Sequence, residues 1–206
     1  MIKKLGLVIL CAVSTFAMHN VELNVNDKDI EIGARLDMGQ FSDATEPDTV
    51  FIGGKFLHGD KSHSSYNEYN FMQDINDYME VNFLMKREIG NIGLSIGLGV
   101  KINNTKDFTT VPLGAEIMYK LPVGGKVPMS VGGCVYYAPQ VLSMDKAKNF
   151  LEYRIEFDAE VIKNGHVIAG FRNMDTNYDD PTIPVTSNRG NKNYNKSPYI
   201  GFRFAF

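Results

Sequence analysis

Residues 150–162 read FLEYRIEFDAEVI, in which Leu151, Tyr153, Ile155, Phe157, Ala159 and Val161 alternate with Glu152, Arg154, Glu156, Asp158 and Glu160. A period of two over this length defines a β-strand with one apolar and one charged face. Two more stretches repeat it. NIGLSIGLGVKIN (91–103) sets Ile92, Leu94, Ile96, Leu98, Val100 and Ile102 against Gly93, Ser95, Gly97, Gly99 and Lys101. TVPLGAEIMYKL (110–121) sets Val111, Leu113, Ala115, Ile117, Tyr119 and Leu121 against Pro112, Gly114, Glu116, Met118 and Lys120.

Alternation alone fits a secreted sandwich as well as a membrane barrel, so strand length and loop distribution decide between them. These strands run to about ten residues or more, the length a tilted strand needs to cross a bilayer. Strands of globular proteins most often have about five or six. REIGN (87–91), VGGK (123–126) and Asn164-Gly165 read as tight turns, the last with both central residues at positive φ. Residues 59–75, 103–109, 139–148 and 175–196 read as longer connections. Short turns at one end and long loops at the other are the plan of a transmembrane barrel. Tyr119, Tyr137, Tyr153 and Phe171 on the apolar parity are candidates for its aromatic belts.

The N-terminal MIKKLGLVILCAVSTFA carries Lys3 and Lys4, an apolar run from Leu5 to Val13 and small residues up to Ala17. That is the pattern of a secretory signal peptide over 1–17, its run being about half a membrane-spanning helix. Bulky Leu10 before Cys11 argues against a lipoprotein. Residues 18–206 then form one domain. Cys134 is the one remaining cysteine, so no internal disulfide can staple the exported chain. The formal charge of −3 grows more negative by the two lysines removed, which excludes nucleic acid as a partner.

In hydrocarbon every backbone donor and acceptor needs a partner in the protein, so the last strand must pair with the first. KSPYIGFRFAF (196–206) supplies a lipid face of Ile200, Phe202, Phe204 and Phe206, and its terminal aromatic marks it as the expected signal to the outer-membrane assembly machinery. Counting backward gives strands at 197–206, 165–174, 149–163, 127–138, 110–121, 91–103, 76–87, 49–59 and 29–39. NVELNV (20–25) makes the even number such barrels use. The expected fold is therefore an all-β, antiparallel up-and-down transmembrane barrel of ten strands, with eight as the alternative. The length of 40–49 is the weak point for a short-turn end.

FLEYRIEFDAEVI, VIAGFRNMDTNY, NYNKSPYIGFRFAF, FIGGKFLHGD, GLSIGLGVKIN and VYYAPQVLSM together resemble the YfaZ family of predicted bacterial outer-membrane proteins, over nearly the whole mature chain. The resemblance implies an outer-membrane β-barrel of Gram-negative bacteria. It carries no catalytic residues to transfer.

The polar parity assigns Glu31, Arg35, Asp37, Lys55, Glu80, Lys101, Glu116, Lys120, Glu152, Arg154, Glu156, Asp158, Glu160, Arg172 and Arg203 to the lumen. A small barrel has little room beyond its own side chains, and buried charges must pair. The expectation is an ion network joining neighbouring strands. The alternative is a narrow pore for small solutes or ions, with Gly93, Gly97, Gly99, Gly114, Gly132 and Gly170 leaving either open space or room for Arg154, Arg172 or Arg203.

Catalysis has little to build on. His19 is terminal, His166 follows the Asn-Gly turn, and only His58 and His63 cluster with Asp60, Ser62, Ser64 and Ser65, in no known triad or metal spacing. No enzyme activity, cofactor or metal is expected. The long loops offer a third possibility, surface binding. Arg189, Lys192 and Lys196 could meet anionic lipopolysaccharide among the outer-membrane lipids, and Asp175, Asp179 and Asp180 could offer oxygens to calcium.

Overall fold

The computed structural model describes residues 20–27, 29–59, 77–90, 92–122, 127–145, 147–178 and 191–205, without the side chains of 178 and 191–194. The signal segment 1–17 with Cys11, His19, the turn 123–126, Asp60 to Ser65, most of the 59–75 and 175–196 loops and Phe206 lie outside the described residues.

Ten strands close a barrel. They are β1 (Asn20–Val25), β2 (Asp29–Asp37), β3 (Val50–Gly59), β4 (Tyr78–Ile89), β5 (Leu94–Asn104), β7 (Leu113–Lys120), β8 (Met129–Ala138), β10 (Ala147–Ile162), β11 (Gly165–Tyr178) and β12 (Asn191–Ala205). Each pairs antiparallel with its neighbours, and β4–β5 and β1–β12 complete the ring. The β1–β12 seam runs from Asn20↔Ala205 to Val25↔Ile200, so the last strand closes on the first and no barrel strand is left as a free edge. Among the described residues no helix is long and apolar enough to cross a membrane.

The wall is apolar outside and polar inside, the inverse of a water-soluble core. Val81, Leu98 and Ile155 stand outward at 58%, 68% and 59% exposure, while Glu80, Ser95, Lys101, Glu152 and Arg154 on the opposite parity are buried. This is the polarity of a membrane-spanning barrel, whose lipid face is hydrocarbon and whose interior is hydrophilic. Tyr119 and Tyr137 are outward, near the turn end of β7 and the loop end of β8 respectively. Tyr153 and Phe171 pack outside with ring centroids 6.3 Å apart.

The 40–49 connection is long yet compact. Asp37, the last residue of β2, accepts hydrogen bonds from the Gly39 amide (3.0 Å) and the Asp48 amide (2.8 Å). One buried carboxylate thus ties both ends of the loop, and a 3₁₀ turn at Met38–Gln40 folds it back. That lets a twelve-residue link serve the short-turn end.

Three expectations are corrected. The strand at 110–121 breaks at Val111–Pro112 into β6 (Phe108–Thr110) and β7, because proline has no amide hydrogen to give a ladder. Freed there, β6 pairs with β9 (Ser143–Asp145), placing a short strand inside the predicted 139–148 loop. The tight turn predicted at Asn164-Gly165 lies one residue earlier. Ile162 pairs with Gly165 around Lys163 and Asn164, and Asn164 alone has positive φ (63°). The β11–β12 ladder extends to Asn177↔Asn191, well into the predicted 175–196 loop. Those residues are polar on both faces, so the period-two signal disappears while the strands continue.

Candidate functional site

The lumen contains three layers. At the loop end Leu57, Tyr78, Phe108, Ala138, Ala147, Phe150 and Met174 form the hydrophobic cluster of the barrel, every member buried. Phe150 stacks on Tyr78 at 6.5 Å and meets Phe108 at 5.9 Å. Each comes from the loop-side end of its strand, so the cluster closes that mouth from within.

Beneath it lies a layer of ion pairs. Arg172, 0% exposed, donates to Glu31 (2.9 Å), to Asn195 (2.9 Å) and to Asp29. Arg154 grips both oxygens of the same Glu31 at 2.6 and 2.8 Å, the two-pronged geometry that only a guanidinium provides. Lys101 joins Glu152 (2.7 Å) to Glu80 (3.2 Å), its ammonium 3.9 Å from the centre of the Tyr136 ring. Toward the turn end Arg35 makes a two-pronged pair with Glu116 at 3.1 and 3.2 Å, and Arg203 gathers Glu22 (2.6 Å), Asp158 (2.9 Å) and Glu156 (3.4 Å). His166 sits 2.7 Å from Asp158, at the turn end.

The pairing expected between neighbouring strands is corrected at the decisive positions. Around the ring β2 and β10 are four places apart, as are β2 and β7, yet Arg154–Glu31 and Arg35–Glu116 join them. The reason is geometric: in a ten-stranded barrel a fully extended arginine and a glutamate together span the interior. Bridges across the lumen, rather than along its wall, close it.

The glycines are corrected as well. Three of the six make room for tyrosines, while Gly97 meets Leu84, Gly132 the Ile117 carbonyl, and Gly93, at positive φ, Lys120. A Cβ on Gly99 would lie 2.5 Å from the Tyr136 hydroxyl, one on Gly114 would strike the same ring, and one on Gly170 would lie 2.5 Å from Tyr199. Over Gly114 and Gly170 a flat ring lies across a glycine on the next strand, a known way of filling the gap that the missing side chain leaves, and Tyr136 reaches one strand further to Gly99. The arginines come one step later: the Arg154 and Arg172 guanidinium carbons sit 5.5 and 5.4 Å from the Tyr199 ring centre.

Of the residues assigned to the lumen, Glu31, Arg35, Glu80, Lys101, Glu116, Glu152, Arg154, Glu156, Asp158, Arg172 and Arg203 enter these bonds, while Asp37 holds the amides of the 40–49 connection. Lys120 pairs with Glu88 (3.1 Å) near the surface, and Glu160 accepts a backbone hydrogen bond from Asn164 (3.2 Å). Lys55 points inward and has no ion-pair partner within 4.0 Å among the described residues. Sequence reasoning missed Glu22, Asp29, Tyr136, Tyr199 and Asn195. Glu22 was visible as the charged position of NVELNV, whereas Tyr136, on the inward parity opposite Tyr137, carries no charge to mark it as part of the lumen network.

Below the ion pairs a cavity of about 510 Å³ opens toward the turn end, reaching from Met129, Pro128 and Lys120 at the rim to Arg154 at its floor. His58 lies elsewhere, at the loop end, exposed and 2.6 Å from Asp77. Among the described residues no group of three or more His, Cys, Asp or Glu is placed to hold a metal ion. On the last strand, Ile200 and Phe204 are outward and Phe202 meets Phe204 edge-on at 4.6 Å.

The fold defines a closed ten-stranded antiparallel barrel with an ion-bridged lumen. No family model matches the chain, and no curated protein matches it. Among solved structures it is similar to the KdgM porin, at 7% identity over 91% of this chain and 98% of that one, TM-score 0.43. It is similar to the same porin in complex with disordered oligogalacturonate, at 7% identity over the same shares, TM-score 0.44. A third similar structure is the outer-membrane expressed OmpT of Vibrio cholerae, at 14% identity over 86% of this chain and 56% of that one, TM-score 0.33.

Proposed function

We propose that the chain is an outer-membrane barrel of a Gram-negative cell envelope, exported by its N-terminal signal segment, with a lumen held shut by its own side chains. The observation that carries this reading is the set of cross-lumen bridges, Arg154–Glu31 above Arg35–Glu116, lying under an apolar cluster and inside an apolar outer wall. The turn end, where the β1 and β12 termini meet, faces the periplasm. The outward Ile200, Phe202 and Phe204 of β12 serve recognition by the assembly machinery together with Phe206. The resemblance of its sequence motifs assigns the protein to the YfaZ family, and no catalytic role is part of this reading; His58 and His166 each meet a single carboxylate.

A minor porin-like role is the second reading, favoured by the cavity that already occupies the turn-end half of the lumen. Passage then requires both the bridges and the apolar cluster to move aside. Planar-bilayer recording separates the two. The purified wild-type barrel is expected to give a flat trace at saturating protein, and steady unitary steps would support the porin-like reading instead. Binding of lipopolysaccharide by the loop-end cations is a role the same preparation can test.

A further inference from the structure

The two sides of the turn-end cavity carry opposite charge. On one side β2, β4 and β7 contribute Arg35, Lys86 and Lys120 with one lining carboxylate, Glu116, while Lys120 is also paired with Glu88 of β4. On the other, β1 and β10 contribute Glu22, Glu156, Asp158 and Glu160, answered by Arg203 of β12, by Arg154 at the floor and by His166 of β11 beside Asp158. The cationic set lies on the half of the ring that runs from β2 to β7 and the acidic set on the half that runs from β10 to β1, with β4, which carries Lys86, four places from β10, which carries Glu160. Low-dielectric walls around such a cleft concentrate the field between them.

Most of these charges are committed to each other, and two are not. Lys86 lies half-buried on the cationic side with its ammonium 4.9 Å from the centre of the Phe51 ring and no carboxylate within 4.0 Å among the described residues. Glu160, on the acidic side, accepts the Asn164 amide and has no cation within 4.0 Å among the described residues. Phe51, Leu84 and Met118 supply an apolar lining between them. The cavity volume falls within the roughly 300–1,000 Å³ of small-molecule sites.

We propose that this cavity is a binding site for small zwitterions bearing a carboxylate and an ammonium group, of the amino-acid and short-peptide class. Lys86 receives the carboxylate and Glu160 the ammonium. A solute of either single charge satisfies one side and leaves the other facing it with like sign. A zwitterion satisfies both and aligns with the field. The site goes beyond the occluded-barrel reading and needs only an open turn-end mouth. A conducting trace would overturn that reading without touching this one.

The test is calorimetric titration of the purified, folded barrel in nonionic detergent at low salt with three probes of matched size: alanylalanine, its C-terminal amide and its N-acetyl derivative. Alanylalanine is expected to bind about tenfold or more tighter than either capped form, the loss of one charge-assisted contact. Lys86→Met should bring alanylalanine down to the level of the amide, and Glu160→Gln down to the level of the N-acetyl form. Both substitutions lie near the rim, so each variant can be checked for native gel mobility before titration. Equal binding of the three probes, or no binding of alanylalanine to the folded wild-type barrel, overturns the proposal.

Discussion

Replacing Arg172 by methionine is expected to lower the unfolding free energy of the barrel by about 3–5 kcal/mol, the usual loss when one partner of a buried ion pair is removed. The side chain is fully buried, bonds Asp29, Glu31 and Asn195, and lies against the Tyr199 ring. Methionine keeps much of the volume, so the loss comes from charge. Asp29 keeps Asn195 as a donor, and Glu31 keeps Arg154, yet two carboxylates would share one guanidinium in a low-dielectric interior. Guanidinium unfolding of the detergent-solubilised protein measures the effect. The double replacement Asp29→Asn and Arg172→Met should lose less than Arg172→Met alone, because it removes one charge of each sign and leaves the Glu31–Arg154 pair intact. A double variant that is weaker by the sum of its parts would mean that the ion pairs stabilise the barrel by more than their mutual neutralisation.

Gly170→Val is expected to cost about 3 kcal/mol or to block folding, the upper end for forcing extra atoms into a filled interior. The new Cβ would lie 2.5 Å from both Cζ and the hydroxyl of Tyr199 and 2.9 Å from the Ile155 carbonyl oxygen. The ring cannot swing away easily. Its hydroxyl donates to Glu156 at 2.6 Å, and Arg154 and Arg172 crowd its face. In a Tyr199→Ala background the same substitution should cost far less. Gel mobility of unheated samples and the unfolding midpoint report both variants. An equal penalty in the two backgrounds would show that the backbone, not the tyrosine, sets the requirement for glycine.

Period-two alternation, with the even strand number of such barrels, was enough to read the barrel and its ten strands, because the outer wall must be apolar at every second residue. Glu152, Arg154 and Glu156 could be assigned inward from a single stretch of chain. What alternation does not encode is height along the axis and reach across it. Arg154 meets Glu31, at a sequence separation of 123, because strand tilt and stagger bring them level on opposite walls. No local pattern carries that information. Tyr136 illustrates the same limit, because alternation turns it inward, opposite Tyr137, without saying which glycines it covers. Tyr136 fills the space over Gly99 and Gly114, and Tyr137 faces outward. The extension of β11 and β12 was hidden for another reason: beyond the apolar band neither face has to be hydrophobic, so strands there look like loops.

The polarity of β10 tests the whole account most directly. In a Cys134→Ser background, a fluorophore attached through a cysteine at each of positions 155, 156, 157 and 158 is reconstituted into vesicles whose acyl chains carry bromine. Labels replacing Ile155 and Phe157 should be quenched strongly and labels replacing Glu156 and Asp158 hardly at all. Quenching at 156 and 158 with 155 and 157 protected, or no quenching at any position because the protein stays in solution, would contradict it.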